Sequence, residues 1–158
     1  MLKNRAAPWF ALALLVIFLD QLSKQYFNNH YPLGAVHAVI PGFFNFTLAY
    51  NTGAAFSFLA DAGGWQTPLF TLLALGVSAW LAWGISRGHF SVQMNCAAAL
   101  VMGGALGNMI DRIIHGYVID FIQLHFNGWY YPAFNLADAS ICIGAVLMLI
   151  DSLKKPAA

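Results

Sequence analysis

Glutamate is absent from this chain: all six acidic residues are aspartates, Asp20, Asp61, Asp111, Asp120, Asp138 and Asp151. Charge of either sign is scarce, at 8% of 158 residues, where a soluble domain carries roughly 25%. Its seven Lys and Arg residues form no long run and the net charge is +1, so a nucleic-acid backbone has no basic patch to meet. Cysteine is nearly missing as well. Cys96 and Cys142 fall at opposite ends of their predicted helices, roughly 15 Å or more apart in depth, beyond disulfide reach, and are expected to be free thiols. The histidines, His30, His37, His89, His115 and His125, are scattered without metal-ligand or triad spacing, so neither a metal nor a cofactor is expected.

What is present is apolar. Hydrophobic residues make up 60% of the chain and the mean hydropathy is +0.67, the composition of a membrane protein. The length suits one domain, residues 1–158, built from a few crossings of about 20 residues each. Four segments qualify, at approximately 8–27, 67–86, 92–114 and 135–153. Lys3 and Arg5 precede the first apolar run, as in a signal peptide, but Asp20-Gln-Leu-Ser-Lys24 offers no small-residue cleavage site, so a retained helix is expected. Lys3, Arg5, Arg87, Lys154 and Lys155 all fall on one side, whereas the connections 28–66 and 115–134 contain no Lys or Arg. The positive-inside rule then makes both termini cytoplasmic. The expected fold is therefore a membrane all-α protein with four transmembrane helices and a small β-rich region in the outer-face loop. Residues 41–59 of that loop are rich in aromatics, with turn residues at Pro41-Gly42 and Asn51-Thr-Gly53, a pattern predicting short strands resting on the outer leaflet. Asp61 to Trp65 reads as a flexible link, and the aromatic loop around Phe56 as a lid.

Ionisable groups inside apolar runs are expensive, so their positions point to function. Asp20 and Lys24 share a helical face at i, i+4 spacing, and the pair could simply neutralise itself. On the third helix Gly104, Gly107, Asn108 and Asp111 fall on one stripe, where the glycines could serve packing alone. Asn108 and Arg112 need partners there. Asp120 is flanked by Val118, Ile119, Phe121 and Ile122, which predicts an apolar environment rather than an exposed loop. Asn135 is a good N-cap for the fourth helix, and Asp138 complements the positive helix end. Capping alone would explain both residues, yet Asp138 would sit about 4–5 Å below the start of that helix, near the level of Asn108 and Asp111. Two adjacent carboxylates share a proton, so one can act as base while the other acts as acid. That is aspartic-protease chemistry, with Asn51, Asn108, Asn135 and Arg112 available to orient the acids or the substrate.

Five blocks, Asp20-Gln-Leu-Ser-Lys24, Asn51-Thr-Gly-Ala-Ala-Phe-Ser57, Gly104-Ala-Leu-Gly-Asn-Met-Ile-Asp-Arg112, Val118-Ile-Asp-Phe121 and Phe134-Asn-Leu-Ala-Asp138, resemble those of bacterial lipoprotein signal peptidases, the type II signal peptidases. Each block is weak alone; their order and spacing across residues 20–138 are specific. The resemblance implies a four-helix aspartic peptidase of the inner membrane whose catalytic pair maps onto Asp120 and Asp138 and needs no metal. It implies diacylglyceryl-modified prolipoproteins as substrates, cut before the lipobox cysteine at the outer interface, with the bilayer as the other partner and a monomeric enzyme. Asp20, Lys24, Asn51, Gly53, Gly104, Asn108, Arg112 and Asn135 match the family's supporting positions. Ile119 stands where Val is more usual, and Gln123 where some relatives carry an acid; Asp111 is expected to have a structural pairing role. The main rival is a small transporter or channel subunit using intramembrane Asp and Arg as a relay. Such sites tend to lie near the midplane between internal repeats, and no repeat is evident here. A structural lipid-binding subunit, in which the polar stripe only glues helices together, is a second rival.

Overall fold

The structure, a computed structural model, describes residues 3–53 and 64–154, with the side chains of the first three described residues left aside. Asp61 and the lid expected around Phe56 lie outside the described residues. Along the chain run α1 (Lys3–His30), β1 (Val36–Ile40), β2 (Phe44–Asn51), α2 (Gln66–Arg87), α3 (Val92–His115), β3 (Val118–Phe126), β4 (Trp129–Tyr130) and α4 (Leu136–Ser152). Local chemistry accounts for the boundaries. Gly88, left-handed at φ 69°, ends α2, and the Ser91 hydroxyl accepts the Met94 N–H at 3.0 Å to open α3. Gly116, at φ 79°, ends α3 and redirects the chain into β3.

Segments of α1, α2 and α3, namely Ala6–His30, Gln66–Arg87 and Val92–His115, are long and apolar enough to cross a bilayer. Their outward faces are apolar too: Leu14, Phe18, Leu72 and Trp80 are each more than half exposed. A soluble protein would not leave so wide an apolar belt in water. This is a multi-pass membrane protein with a small antiparallel sheet. α4 is equally apolar but has 17 residues, the short end of the spanning range.

α3 is the central helix and packs against each of the other three. Its facing side is made of small residues, Ala97, Ala98, Ala99, Gly103, Gly104 and Gly107, so backbones approach to distances that larger side chains forbid. A Cβ on Gly103 would lie 2.8 Å from the Ala13 carbonyl oxygen of α1, and one on Gly104 would collide with the Ala137 carbonyl of α4.

β1 to β4 form one antiparallel sheet in sequence order. The turn expected at Pro41-Gly42 joins β1 to β2. The position of the other half was not foreseen: β3, within the connection 115–134, is an inner strand paired with β2 and β4. Val118 to Phe121 are buried on both strand faces, which explains why they read as a continuous apolar run rather than an alternating one. Phe27 at the end of α1 stacks on Phe121 at 4.3 Å and lies 4.7 Å from Phe46, forming with Leu48 and Ile119 the core that docks the sheet on the bundle. Phe27→Ala is therefore expected to cost about 3–5 kcal/mol, measurable as a lowered unfolding midpoint in detergent; an unchanged midpoint would mean that the sheet is held elsewhere.

Candidate active site

Register brings the two expected acids together. Asn51, at the end of β2, pairs with Val118, and Ala49 pairs with Asp120. Phe134 bridges to Ile122, with both the Phe121 and Ile122 N–H groups donating to its carbonyl. Asn135 and the first turn of α4 are thereby delivered beside Asp120. Asp120 is 2% exposed, while Asp138 is half-buried and faces a cavity of about 230 Å³ between α2, α3 and α4. Apart from Asp138, Asn108 and Arg112, the lining of this cavity is apolar, with Phe70, Val77 and Ile141 among it.

Three amides connect the acids, and their orientation follows from donors elsewhere. The Lys24 ammonium can only donate, and it does so to Asn108 Oδ1 at 2.8 Å, which turns Asn108 Nδ2 toward Asp138 Oδ1 at 2.7 Å. Asn135 Oδ1 caps α4 by accepting the Asp138 N–H at 2.9 Å, which turns its Nδ2 toward Asp120 Oδ1 at 2.7 Å. Asn51 Oδ1 accepts the Gly53 N–H at 2.9 Å, which leaves its Nδ2 to donate to Asp120 Oδ2 at 3.1 Å. Three of the four carboxylate oxygens thus accept an amide N–H.

Beneath the amides lies a buried ion cluster. Lys24, 0% exposed, contacts Asp20 Oδ2 at 2.8 Å and Asp111 Oδ2 at 3.0 Å. Each acid also ties down backbone: Asp20 Oδ1 accepts the Ala137 N–H at 2.9 Å, and Asp111 Oδ2 the Ile119 N–H at 3.0 Å. Gly107 leaves room for this, since a Cβ there would lie 2.6 Å from Asp20 Oδ2. Arg112 donates to the Gly53 carbonyl at 2.9 Å and lies over the Phe70 ring at 5.2 Å.

All ten sequence-derived positions lie in this region, with nine in one hydrogen-bonded network and Gly104 packing beneath it against α4. Asp111 has the pairing partners expected of it. Gln21 was missed as a contributor, and Gly107, expected on the stripe for packing, also supplies a carbonyl acceptor. Gln21 Nε2 donates to Asp111 Oδ1 at 2.9 Å and to the Gly107 carbonyl at 3.1 Å; an amide beside Asp20 inside an apolar span was the available signal. Burial first, then repulsion from Asp138, pushes the Asp120 carboxyl up to about 7, against opposing hydrogen bonds from Asn51 and Asn135.

The fold and site define a membrane protein holding two buried carboxylates linked through asparagine amides, one of them lining an apolar cavity. A family model described as signal peptidase (SPase) II matches residues 12–154. The chain is 65% identical to the lipoprotein signal peptidase of Chromobacterium violaceum over 149 residues, covering 94% of this chain and 92% of that one. It is 50% identical over 145 residues to that of Neisseria meningitidis serogroup C, covering 92% and 88%. Two bacterial membrane enzymes solved by the in meso method, at 2.3 and 1.9 Å resolution, superpose with TM-scores of 0.83 and 0.81 at 30% and 32% identity. The alignments cover 96% of this chain and 94% of the first structure, and 95% of each chain for the second. This chain belongs to the signal peptidase II family.

Two outcomes are expected. Because the Asp120 carboxyl holds its proton more tightly folded, at about 7, than unfolded, near 3.8, its contribution to stability is complete below the unfolded value. That contribution is lost as pH rises through the folded value. Asp120→Asn should flatten this dependence, so unfolding midpoints measured across that window should fall less steeply in the variant than in wild type; parallel curves would contradict it. Lys24→Met leaves two buried carboxylates unpaired and should cost about 3–5 kcal/mol. Adding Asp111→Asn should recover part of that loss in the same unfolding assay.

Proposed function

We propose that this chain removes the signal peptide from diacylglyceryl-modified prolipoproteins, cleaving before the lipobox cysteine with Asp120 and Asp138 as its catalytic pair. The supporting observation is that two carboxylates, each held by its own side-chain amides and linked through Asn135 and Asn108, lie next to an apolar cavity that Asp138 lines. Membership of the family, and relatives named lipoprotein signal peptidase, favour the peptidase reading over a transporter or channel subunit. The whole chain, 1–158, acts as one peptidase domain.

At neutral pH the pair holds one proton. Asp138, which accepts one side-chain amide where Asp120 accepts two, is the natural place for it. A water beside Asp120 loses a proton to that carboxylate as its oxygen attacks the scissile carbonyl carbon. Asp138 donates its proton to the carbonyl oxygen. Collapse of the tetrahedral intermediate breaks the C–N bond as Asp120 passes its proton to the leaving amine and Asp138 takes back the hydroxyl proton, leaving a carboxylic acid and restoring the pair. Asn51, Asn108 and Asn135 orient the acids, the Asp20–Lys24 pair holds Asn108 and the start of α4, and Arg112 anchors the backbone at Gly53. Gly104 lets α4 approach closely enough for Asp138 to arrive. The cavity of about 230 Å³ receives the apolar flank of the cleavage site.

α4 acts as a fourth transmembrane helix and both termini are cytoplasmic, a reading supported by the positions of Lys3, Arg5, Arg87, Lys154 and Lys155. The site then opens on the outer face of the bacterial inner membrane, where a lipidated cysteine holds the scissile bond near the headgroups. The enzyme works as a monomer. Asp120→Asn and Asp138→Asn should each lower cleavage of a diacylated prolipoprotein in liposomes by on the order of 10²–10⁴-fold while the protein remains folded. Near-normal turnover by either variant would end the dyad assignment.

A further inference from the structure

Arg112 is held by fewer polar contacts than its five donors allow. Its Nη2 donates to the Gly53 carbonyl at 2.9 Å, Nη1 reaches the Asn108 carbonyl of its own helix only at 3.4 Å, and Nε is buried without a hydrogen-bond partner among the described residues. No ion pair fixes it among those residues either. A single short hydrogen bond locates one corner of a guanidinium and leaves its plane free to swing. What sets the plane is α2. Phe70, near the start of that helix, presents its ring to the guanidinium, with Arg112 Cζ 5.2 Å from the ring centroid, inside the range in which a ring quadrupole attracts a cation. Both side chains are half-buried, so the attraction is stronger than at an open surface. The other α2 residues on this wall of the cavity, Leu73, Ala74 and Val77, are aliphatic and offer no such face.

From Arg112 the contacts run on to the dyad. Gly53 uses both of its backbone groups: the carbonyl accepts from Arg112, and the N–H donates to Asn51 Oδ1 at 2.9 Å. With that oxygen occupied, Asn51 Nδ2 faces Asp120 Oδ2 at 3.1 Å. A guanidinium that swings off Gly53 therefore loosens the turn that aims the Asn51 amide. Amides of Asn51 and Asn135 hold the Asp120 carboxyl down against burial and the charge of Asp138 on α4. Lys24 of α1 and Arg112 of α3 also face Asp120, while Asp20 and Asp111 are paired with Lys24. Loss of the Asn51 donor leaves burial and Asp138 less opposed, so Asp120 holds its proton to higher pH.

We propose that Phe70 is a positioning residue of the site: its ring face fixes the Arg112 guanidinium, which through the Gly53 carbonyl keeps the Asn51 amide on Asp120. For catalysis this role rests on the reading of Asp120 and Asp138 as the catalytic pair.

Two measurements on the full chain test it. One is the pH profile of kcat for a diacylated prolipoprotein in liposomes. The other, without substrate, is the infrared titration of the Asp120 carboxyl stretch, assigned as the band lost in Asp120→Asn. Phe70→Leu keeps an apolar side chain and removes the ring face. It should raise both the acid limb of the profile and the infrared midpoint by about one pH unit, the size expected for a lost charge-assisted hydrogen bond. Phe70→Tyr should leave both at wild-type values, and Phe70→Leu added to Arg112→Gln should move neither further. Pentafluorophenylalanine in place of Phe70 keeps the shape and reverses the charge distribution of the ring, so it should reproduce the leucine shift even if Phe70→Leu folds poorly. Unmoved infrared midpoints in both altered proteins would overturn the proposal. So would a change confined to KM and equally large in the Arg112→Gln background, which would leave Phe70 as cavity wall alone. A shifted infrared midpoint with an unshifted cleavage profile would uphold the positioning role and remove Asp120 from the chemistry instead.

Discussion

The interaction on which the rest of the site depends is that of the Lys24 ammonium with Asp20, Asp111 and Asn108, buried entirely from solvent. A lone ammonium in that position would be too costly to keep charged. With two carboxylates and an amide oxygen around it, it becomes the fixed point from which three elements are measured. Asp20 reaches the backbone of α4 at Ala137, Asp111 reaches β3 at Ile119, and Asn108 reaches Asp138. One cation thereby ties α1, α3, α4 and the sheet to one depth. Pairs of this kind contribute less to net stability than their distances suggest, because desolvation offsets most of the attraction. Their effect is on geometry: few arrangements of these helices satisfy every buried charge.

The same logic passes outward to the dyad. Ammonium and backbone N–H groups occupy the oxygen ends of Asn108, Asn135 and Asn51, and each amide is left with only its N–H₂ end for the acids. Donors aimed at carboxylates favour their charged forms, while burial and mutual repulsion favour protonation. The balance leaves Asp120 near neutrality, at about 7, where a carboxyl can both take and release a proton at ordinary pH. Apolar surroundings and polar supports therefore act in opposition, and the working range of the pair comes from the difference between them.

Packing explains why the helices tolerate so polar a cluster. A run of alanine and glycine on α3 brings α1 and α4 close enough for Asp20 to meet the backbone of α4 across Gly107. Larger residues would widen the bundle, lengthen every hydrogen bond in the network and admit water among its charges. Outside this seam the helices are covered by exposed Leu, Phe and Trp side chains, which are stable only when lipid replaces water around them.

Several features were legible in the chain alone because they are local. Apolar runs of spanning length, the one-sided placement of Lys and Arg, the i, i+4 spacing of Asp20 and Lys24, the Asn135 cap and the turn at Pro41-Gly42 depend only on neighbours in sequence. Order and spacing of the five polar blocks added the family, since shared motifs carry ancestry without geometry. Tertiary structure alone decided that residues 118–126 form an inner strand, because a strand buried on both faces has the same apolar run as a loop or helix segment. It also decided that Gln21 belongs to the cluster and that the three amides turn their N–H₂ groups toward the acids. For Asn108 and Gln21 the partners, Lys24 and Asp111, lie 84 and 90 residues away; for Asn51 and Asn135 a nearby backbone N–H occupies the oxygen, but only the fold brings Asp120 to the N–H₂ end.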